Sequence, residues 1–311
     1  MRYFDLHCDT MTECYVNDKH IESNALHIDC NRAAQFDTYA QCYAIWLPDS
    51  LHGDKAFQRF LHVAERFSAE IRSTNQTMCQ CKAPGDLELS SGHHYAILTV
   101  ENATALGGKI ENVDEFARLG VKLCSLTWNG ENELGRGVRA AGEGGITSFG
   151  RQVVEELERN HIIIDVSHAS PELFFDVVSI ANNPIVATHS NAKSICHSAR
   201  NLTDEQFFII RESGGLVGLN LYKGFLNDEQ SKACMDDVLR HAEHFLSLGG
   251  EDTLAIGADW DGGAKEDFVA SGIEEIPELI ELFLRHNYSE SLTDKIFFKN
   301  AADFFKRENL L

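Results

Sequence analysis

The sequence predicts an α/β protein, a (β/α)8 barrel of the TIM type, and three observations support this prediction. Eight short segments rich in Ile, Val, Leu and aromatic residues recur along the 311 residues. Most of them lack strict apolar–polar alternation, which is typical of strands that are buried on both faces. Helical patterns lie between several of the segments, and repeated strand–helix alternation predicts a parallel barrel. The predicted strands lie near residues 3–7, 41–47, 95–101, 121–128, 161–167, 184–189, 215–221 and 254–258.

Apolar residues at spacings of three and four predict the intervening helices. Ser170 followed by Pro171 is typical of a helix start, with an N-cap residue and a proline at the first helical position. Thr203 and Gln206 fit a capping box at the start of another helix. The predicted helices cover residues 56–67, 149–157, 171–180, 203–210, 238–248, 277–286 and 294–305.

Two stretches interrupt this alternation, the long polar residues 10–39 and the glycine-rich residues 129–146. Both follow predicted strands, so we expect both at the carboxyl-terminal face of the barrel, where active sites of this fold lie. The glycine-rich stretch lacks the spacing of a phosphate-binding loop. We interpret it as a mobile loop near the site, and the alternative is a flexible surface connection.

Composition limits the class of partner. The chain is 43% hydrophobic with a formal net charge of −21, and its length fits one barrel domain over residues 1–311. Nucleic acids and anionic membranes both require a basic surface, so the charge argues against both as partners. The sequence contains no apolar run of roughly 18 residues, so it predicts no transmembrane helix.

The nine cysteines are odd in number and scattered, which argues against a disulfide framework. Reduced thiols fit a cytoplasmic protein better. The amino-terminal residues also lack the apolar segment and cleavage site of a signal peptide, so we expect a cytoplasmic location. Cys79 and Cys81 form the one close pair, and the lack of a second pair nearby argues against a metal site there.

Four predicted strands end in side chains that bind metal ions. The first ends in His7-Cys-Asp9, the third in Glu101, the fifth in His168 and the sixth in His189. Side chains two residues apart on a strand point to the same side, so we expect His7 and Asp9 to reach one ion. A single histidine or glutamate at a strand end is more often a hydrogen-bonded structural residue. Four strand ends of one barrel converge on one mouth, however, where buried imidazoles and carboxylates are costly unless they are paired or bind metal.

Together these five side chains predict a binuclear metal site at the carboxyl-terminal face of the barrel. Nitrogen and oxygen ligands suit Zn²⁺, with Mn²⁺, Co²⁺ or Fe²⁺ as substitutes. Because five protein ligands exceed the three of a one-zinc catalytic site, two ions bridged by Glu101 fit better. Two such ions roughly 3.5 Å apart share a water, lower its pKa and stabilise a developing oxyanion.

The end of the eighth strand supplies two aspartates, Asp259 and Asp261. An aspartate that faces such a water can accept its proton and pass it to a leaving amine. We assign this acid/base role to Asp259 first, because Asp261-Gly262-Gly263 is typical of a turn. Arg200 follows the sixth strand, and a guanidinium beside a metal site can bind a carboxylate in a two-pronged contact. Spacing alone favours a surface position for this arginine.

Six segments of the chain resemble the membrane dipeptidase (renal dipeptidase) family of zinc peptidases, within the amidohydrolase-like hydrolases. The resemblance runs in order from residue 5 to residue 262, and Lys299 to Phe304 is similar to the family's closing helix. It therefore covers nearly the whole chain. The matching segments are Asp5-Leu-His7-Cys-Asp9-Thr10, Thr99-Val-Glu101-Asn, Asp165-Val-Ser-His168-Ala-Ser, Ala187-Thr-His189-Ser-Asn, Arg200-Asn201-Leu and Gly257-Ala-Asp259-Trp-Asp261-Gly.

The resemblance implies how the ligands divide between two zinc ions. It implies one ion on His7, Asp9 and Glu101. It implies the second ion on Glu101, His168 and His189.

The resemblance also implies the groups that act on the substrate. It makes Asp259 the acid/base and Arg200 the group that binds the free carboxylate of a dipeptide. Family members cleave dipeptides, including ones with a D-residue at the C-terminal position, and some open β-lactam rings. The implied partner is therefore a small dipeptide.

The chain departs from the family at the end of the fourth strand. The family's strand usually ends in Leu-Thr-His, whose histidine helps to hold the substrate and polarise its carbonyl, whereas this chain has Leu-Thr-Trp128. The indole N–H of Trp128 can donate one hydrogen bond but cannot replace a charged or accepting imidazole. Loss of one such stabilising group costs on the order of 10²-fold in turnover. Asn129 and Asn132 are the candidates to take its place.

The predicted function is zinc-dependent hydrolysis of the peptide bond of dipeptides by a metal-bridging hydroxide. One alternative keeps the fold and the metals and changes the substrate to another amide, a lactone or a phosphoester. The other is a non-catalytic metal-binding protein marked by Trp128, against which the complete set of ligands and Asp259 argue. The sequence leaves the native metal and the choice between monomer and homodimer open.

Overall fold

The computed structural model describes residues 1–74, 77–89 and 92–311. The pairings between its named strands are parallel. The strands are β1 (Arg2–Cys8), β2 (Thr38–Trp46), β3 (Met78–Cys81), β4 (His93–Glu101), β5 (Val121–Ser125), β6 (Ile163–Asp165), β7 (Val217–Leu219) and β8 (Leu254–Ile256).

The strands form a ring in the order β6-β5-β4-β2-β1-β8-β7. The predicted sixth strand, residues 184–189, closes the ring through two isolated parallel bridges, Asp165 to Val186 and Ala187 to Val217. The predicted (β/α)8 barrel is therefore confirmed. β3 lies off this ring, pairs with the first half of β4 and contains the Cys79–Cys81 pair, and the sequence pattern does not predict it.

Helices connect most of the strands, and two of them begin at the predicted signals. Ser170 caps one helix with Pro171 at its first turn, and Thr203 and Gln206 form the predicted capping box of another. None of the helices in the described residues is long and apolar enough to cross a lipid bilayer. The α-helices are α1 (Thr10–Val16), α2 (Cys30–Ala33), α3 (Gly53–Ser73), α4 (Asn112–Leu119), α5 (Ser148–Arg159), α6 (Pro171–Val178), α7 (Asp204–Glu212), α8 (Lys223–Leu226), α9 (Met235–Ser247), α10 (Ile276–Arg285), α11 (Glu290–Asp294) and α12 (Asn300–Arg307).

Shorter helical segments complete the secondary structure. A π-helical segment, Lys295–Lys299, joins α11 to α12. The polar stretch 10–39 contains α1 and α2, which are too short for apolar spacing to reveal. The 3₁₀ segments are Ala103–Leu106, Gln230–Lys232, Lys265–Asp267 and Ile273–Glu275.

The interior of the barrel is apolar toward the amino-terminal ends of its strands. Side chains from every side of the ring form one cluster with α12, in which Phe4 stacks on Phe305 with ring centres 5.3 Å apart. A separate apolar cluster packs the strands against the outer helices. Because α12 and this apolar cluster fill the amino-terminal end, the polar side chains of the barrel interior lie at the carboxyl-terminal end.

A β-bulge in β1 positions the first predicted metal ligand. On a regular strand Leu6 and Cys8 would face the same side, but Leu6 belongs to the interior cluster and Cys8 to the outer one. The alternation of side chains therefore breaks where the pairing of β1 with β2 shifts register. Asp9 lies beyond the strand, as the N-cap residue of α1. The bulge and the helix start therefore bring His7 and Asp9 together, and the expectation that two-residue strand spacing does so is wrong.

Candidate active site

The five predicted metal ligands meet at one buried point at the carboxyl-terminal mouth of the barrel. His168 Nε2 lies 2.8 Å from Glu101 Oε1 and 3.0 Å from His189 Nε2. His7 Nε2 lies 3.5 Å from Glu101 Oε2 and 3.7 Å from Asp9 Oδ2. None of these five side chains is more than 9% exposed.

Glu101 lies between two sets of ligand atoms. Its Oε1 faces His168 at 2.8 Å and His189 at 3.8 Å, whereas its Oε2 faces His7 at 3.5 Å. A tetrahedral ion with bonds of about 2.1 Å holds its ligand atoms roughly 3.4 Å apart, and the observed separations bracket this value. The arrangement suits a carboxylate that is shared by two ions.

Two buried atoms of the cluster have no hydrogen bond to the residues that the structure describes. His7 Nε2 and Asp9 Oδ1 are buried, and neither has a hydrogen-bond partner among the described residues. A buried polar atom without a partner costs about 1–3 kcal/mol, and a bound cation would satisfy both. Glu101, His168 and His189 independently form a group whose atoms lie close enough to hold an ion. The donor set of imidazole nitrogen and carboxylate oxygen therefore fits a metal centre.

The electrostatics of the cluster favour metal-binding protonation states at His168, His189 and Glu101, but not at His7. Burial opposes protonation of His7, yet Asp9 and Glu101 raise its pKa well above the ordinary value. Burial lowers the pKa of His189 well below its ordinary value, and the charge of His7 acts in the same direction. Burial and then the charge of Arg200 lower the pKa of His168 to about 4. Burial opposes ionisation of Glu101, but the neighbouring His168 holds the pKa of that carboxyl well below its usual range. Neutral imidazoles beside an ionised carboxylate are ready to bind a metal.

Neighbouring side chains orient two of the histidines through their second ring nitrogen. His168 Nδ1 lies 3.1 Å from Asn129 Oδ1, and His189 Nδ1 lies 2.8 Å from the hydroxyl oxygen of Thr188. That hydroxyl donates to Asp165 Oδ2 at 2.5 Å. Such partners fix the tautomer and the orientation of a ligand histidine. Both Nε2 atoms are thereby directed toward Glu101.

Asp259 borders the cluster from the end of β8. Its Oδ1 lies 3.8 Å from His7 Nε2, and its Oδ2 accepts a hydrogen bond from Asn220 Nδ2 at 2.9 Å. Its backbone φ of 67° lies in the left-handed region, which is uncommon for a residue with a side chain. Burial raises the pKa of Asp259 to about 6, against the lowering effect of His7 and with the support of Glu101. Gly262 makes room for this carboxylate, since a Cβ there would lie 2.6 Å from Asp259 Oδ1.

Arg200 is buried, and the surface position that spacing alone favours is wrong. It is 5% exposed, and its Nε has no hydrogen-bond partner in the described chain. Its guanidinium lies 5.4 Å from the ring centre of Phe225, and Nη2 donates to the carbonyl of His189 at 3.4 Å. No carboxylate of the described residues lies within ion-pair distance of it. A buried cation in this state is costly unless an anion joins it.

The cluster opens into a cavity of about 620 Å³, a size that suits a small ligand. Arg200 lines a smaller adjoining cavity of about 120 Å³, and His168 borders both. The main cavity has acidic walls that include Asp9 and Asp259. Its aromatic walls are Trp46, Trp128, Tyr222 and Phe225.

Known proteins resemble this chain in fold and in sequence. The family model for membrane dipeptidase (peptidase family M19) matches residues 1–310. The chain belongs to the membrane dipeptidase family. Membership makes it a metallo-dipeptidase, as the resemblance implies.

Two solved structures of metallopeptidases match the M19 chain over nearly its full length. One is a metallo peptidase from Rhodobacter sphaeroides, liganded with a phosphinate mimic of the dipeptide L-Ala-D-Ala; it is 26% identical with a TM-score of 0.91, over 99% of each chain. The other is dipeptidase AC of family M19, which is 26% identical with a TM-score of 0.90, over 100% of this chain and 99% of that chain. An uncharacterized protein of Klebsiella pneumoniae from the pqqA 5′ region is 32% identical over 210 residues, which cover 65% of this chain and 77% of that protein.

The M19 chain departs from its family's pattern at a residue that faces the cavity. Trp128 lines the cavity and packs edge-on against Trp46, with ring centres 5.0 Å apart. Asn129 lines the cavity too, although its amide oxygen is engaged by His168. Asn132 instead donates to Asn102 Oδ1 and to a backbone carbonyl, so it does not take the place of the family's histidine.

Sequence reasoning missed a group of contacts that join loops above the M19 site. Asp261 accepts hydrogen bonds from the Thr10 hydroxyl at 2.5 Å and from the His27 ring at 2.7 Å. The turn interpretation of Asp261 is therefore incomplete, because the side chain connects its own loop to the start of α1 and to the loop that contains His27. The position of Asp261 after a strand could have indicated a functional residue. His27 lies in the polar stretch 10–39, where no apolar spacing or motif marks it. Asp165 ends β6 as Glu101 ends β4, so the same strand-end position marks it as a candidate functional residue. No role is predicted for Asp165 from the sequence.

The glycine-rich stretch borders the cavity of the M19 site. Gly137 N–H donates to the carbonyl of Gly130 at 2.7 Å, and Arg139 N–H donates to the carbonyl of Asn129 at 2.9 Å. A Cβ at Gly137 would lie 2.0 Å from the carbonyl oxygen of Trp128, so only glycine allows this close approach. The stretch therefore lies at the predicted position and is folded back against the end of the fourth barrel strand.

Proposed function

We propose that this chain hydrolyses dipeptides with the help of two Zn²⁺ ions at the ligand cluster. The observation that carries the proposal is the position of Glu101, whose two oxygens face different histidines, His168 and His7. A single ion would use one of these oxygens and leave the other side of the cluster unsatisfied.

We assign the ligands to the two ions accordingly. His7 and Asp9 hold one ion, His168 and His189 hold the other, and Glu101 is common to both. The unpartnered His7 Nε2 and Asp9 Oδ1 support this assignment, and the donor types suit Zn²⁺, with Mn²⁺, Co²⁺ or Fe²⁺ as substitutes. When bound, the ions supply Lewis acidity and lower the pKa of a water.

Asp259 is the group that we assign to proton transfer. Its carboxylate borders both the cluster and the cavity, and Asn220 holds Oδ2 while Oδ1 faces the ligand cluster. It accepts a proton from the attacking water as the new C–O bond forms. It then gives this proton to the nitrogen of the leaving amine as the peptide C–N bond breaks.

Arg200 is the group that we assign to the free carboxylate of the dipeptide. Its buried guanidinium has no carboxylate partner within the described chain, and a bidentate carboxylate would satisfy it. The relative from Rhodobacter sphaeroides holds a mimic of L-Ala-D-Ala, which supports dipeptides with a D-residue at the C-terminal position as substrates. The 620 Å³ cavity leaves space for both side chains of such a substrate.

We also propose a reducing, cytoplasmic location. Seven cysteines are buried as thiols, which suits a compartment that keeps thiols reduced. They are Cys8, Cys14, Cys30, Cys42, Cys81, Cys124 and Cys196.

A dipeptide panel combined with metal analysis tests the proposal. The protein is stripped with a chelator, reloaded with Zn²⁺, Mn²⁺ or Co²⁺, and assayed on L,L- and L,D-dipeptides, their C-terminal amides, and simple esters and lactones. We expect two bound ions per chain and turnover of free dipeptides but not of the amides. Turnover of esters or lactones alone would favour a different hydrolase, and full activity with one ion would overturn the two-ion assignment.

A matched pair of variants tests the bridging role in the same experiment. Glu101→Gln keeps the shape of the side chain and removes its charge, and it should lose both ions. Glu133→Gln removes the same charge from a nearby loop position outside the cavity lining and should keep both.

A further inference from the structure

A second arginine faces the cavity from the glycine-rich stretch. Arg139 lines the main cavity, on the side formed by Trp128, Asn129 and His168. Its backbone is fixed there, because its N–H donates to the carbonyl of Asn129 and the preceding Val138 N–H donates to the carbonyl of His168 at 2.8 Å. The backbone that carries the Arg139 side chain is therefore held next to His168, a predicted metal ligand.

The guanidinium of Arg139 has no partner within the described chain, although the cavity that it lines is rich in carboxylates. Arg136, three residues earlier, pairs with Glu131 and donates to the carbonyl of Ala141. Arg139 forms neither an ion pair nor a side-chain hydrogen bond with the described residues. Burial lowers the pKa of Arg200, and the charge of Arg139 acts in the same direction. Two guanidinium groups without counter-ions therefore lie on the same side of the site.

A dipeptide with a neutral side chain offers one carboxylate to these two cations. The proposed function gives that carboxylate to Arg200, which lies in the adjoining cavity. Arg139 is exposed to solvent and lines the cavity without a partner, so its guanidinium is free to bind a second anion that enters with the substrate. A side-chain carboxylate on the same residue of the dipeptide would supply that anion. The amino group at the other end of the dipeptide would be repelled.

We propose that Arg139 binds the side-chain carboxylate of the second residue, so that preferred substrates are dipeptides that end in Asp or Glu. This inference rests on the proposed dipeptidase function and names its substrate class. Trp128 and the Asn129 amide line the same wall and would border that side chain.

Paired substrates test the proposal, because Glu and Gln have nearly the same shape and differ in charge. The kcat/KM of the metal-loaded protein is measured for Ala-Glu against Ala-Gln, with both stereoisomers of the second residue. We expect a preference for Glu of about tenfold or more, the size of one charge-assisted hydrogen bond at a partly open site. In Arg139→Gln the ratio should fall to about one, and Arg139→Lys should restore part of it.

Three controls separate the outcomes. Arg136→Gln removes the same charge from the same stretch but not from the cavity lining, so its Glu-to-Gln ratio should match that of the original protein. Glu-Ala against Gln-Ala should show no preference for the acid. An unchanged ratio in Arg139→Gln, an equal loss on both substrates, or a preference for an acidic first residue would each overturn the proposal. Failure to cleave any dipeptide would instead refute the proposed function.

Discussion

Gly262→Ala tests the geometry of the site most directly. A Cβ at this position would lie 2.6 Å from Asp259 Oδ1 and 3.0 Å from Asp9 Oδ2. The backbone of Gly262 lies outside the left-handed region, so alanine itself is not strained there. Ordinary contact begins at 3.4 Å, so the Asp259 carboxylate must move by about 0.8 Å and that of Asp9 by about 0.4 Å.

The magnitude of the effect follows from that displacement. A misplacement of about 1 Å in a reacting group can cost about 10²-fold, so we expect kcat/KM for a dipeptide to fall by about that factor. The two nearest atoms are the ends of side chains, and the third is the backbone carbonyl oxygen of Asp259 at 3.1 Å, so we expect only a small fall in the melting temperature. Steady-state kinetics, a thermal melt and metal analysis of the same preparation measure the three quantities.

Gly263→Ala is the matched control for this experiment. Its Cβ would meet Tyr222 Cε2 at 3.4 Å and Phe268 Cε2 at 3.5 Å, which are ordinary contacts. Activity near that of the original protein is therefore expected. If Gly262→Ala keeps full activity, or if both variants lose activity equally, the methyl group does not act through the two carboxylates and the reasoning is refuted.

Three further predictions follow from the same contacts. Asp259→Asn should keep its metal content and lose roughly 10²- to 10⁴-fold in kcat, and an unchanged kcat would remove Asp259 from proton transfer. Arg200→Ala should mainly raise KM for dipeptides, by roughly 10- to 100-fold for a lost charge-assisted bond, and an unchanged KM would refute the carboxylate role. Burial lowers the pKa of His241 to about 4, so between pH 6.5 and 4 the unfolded chain binds a proton that the folded imidazole does not. The free energy of unfolding should therefore fall by up to about 3 kcal/mol as the pH drops through this window, and urea titrations of His241→Asn should lack this part of the slope.

The sequence predicts the candidate ligands because each one lies at, or just beyond, the end of a buried apolar strand. The segments before Glu101, His168 and His189 are apolar enough to be placed in the barrel from composition alone. Parallel topology then brings their ends to one mouth, whatever the details of the loops. The position of the strand ends bears neither on the single domain, which stays a prediction, nor on the choice between monomer and homodimer, which the sequence leaves open.

The details that sequence reasoning could not supply all depend on loop conformation. The bulge that turns His7 inward has no signature in Asp5-Leu-His7-Cys, and the burial of Arg200 depends on loops that follow two different strands. The contact between His27 and Asp261 joins residues 234 positions apart. Local patterns carry no information about such contacts, because they arise only when separate loops pack together.

Backbone conformation explains why those loops matter to the chemistry. His168, Asp259 and Asp261 all have φ near +67°, a conformation that costs about 1–3 kcal/mol for each such residue. Each is held by a bond to a distant segment of the chain: the His168 carbonyl accepts from Val138 N–H, Asp259 N–H donates to the carbonyl of His7 in β1, and Asp261 accepts from His27. These bonds offset the cost of the left-handed backbone at the strand ends that carry His168 and Asp259. The glycine-rich stretch that supplies Val138 is therefore part of what holds the site in place, and not merely a cover for it.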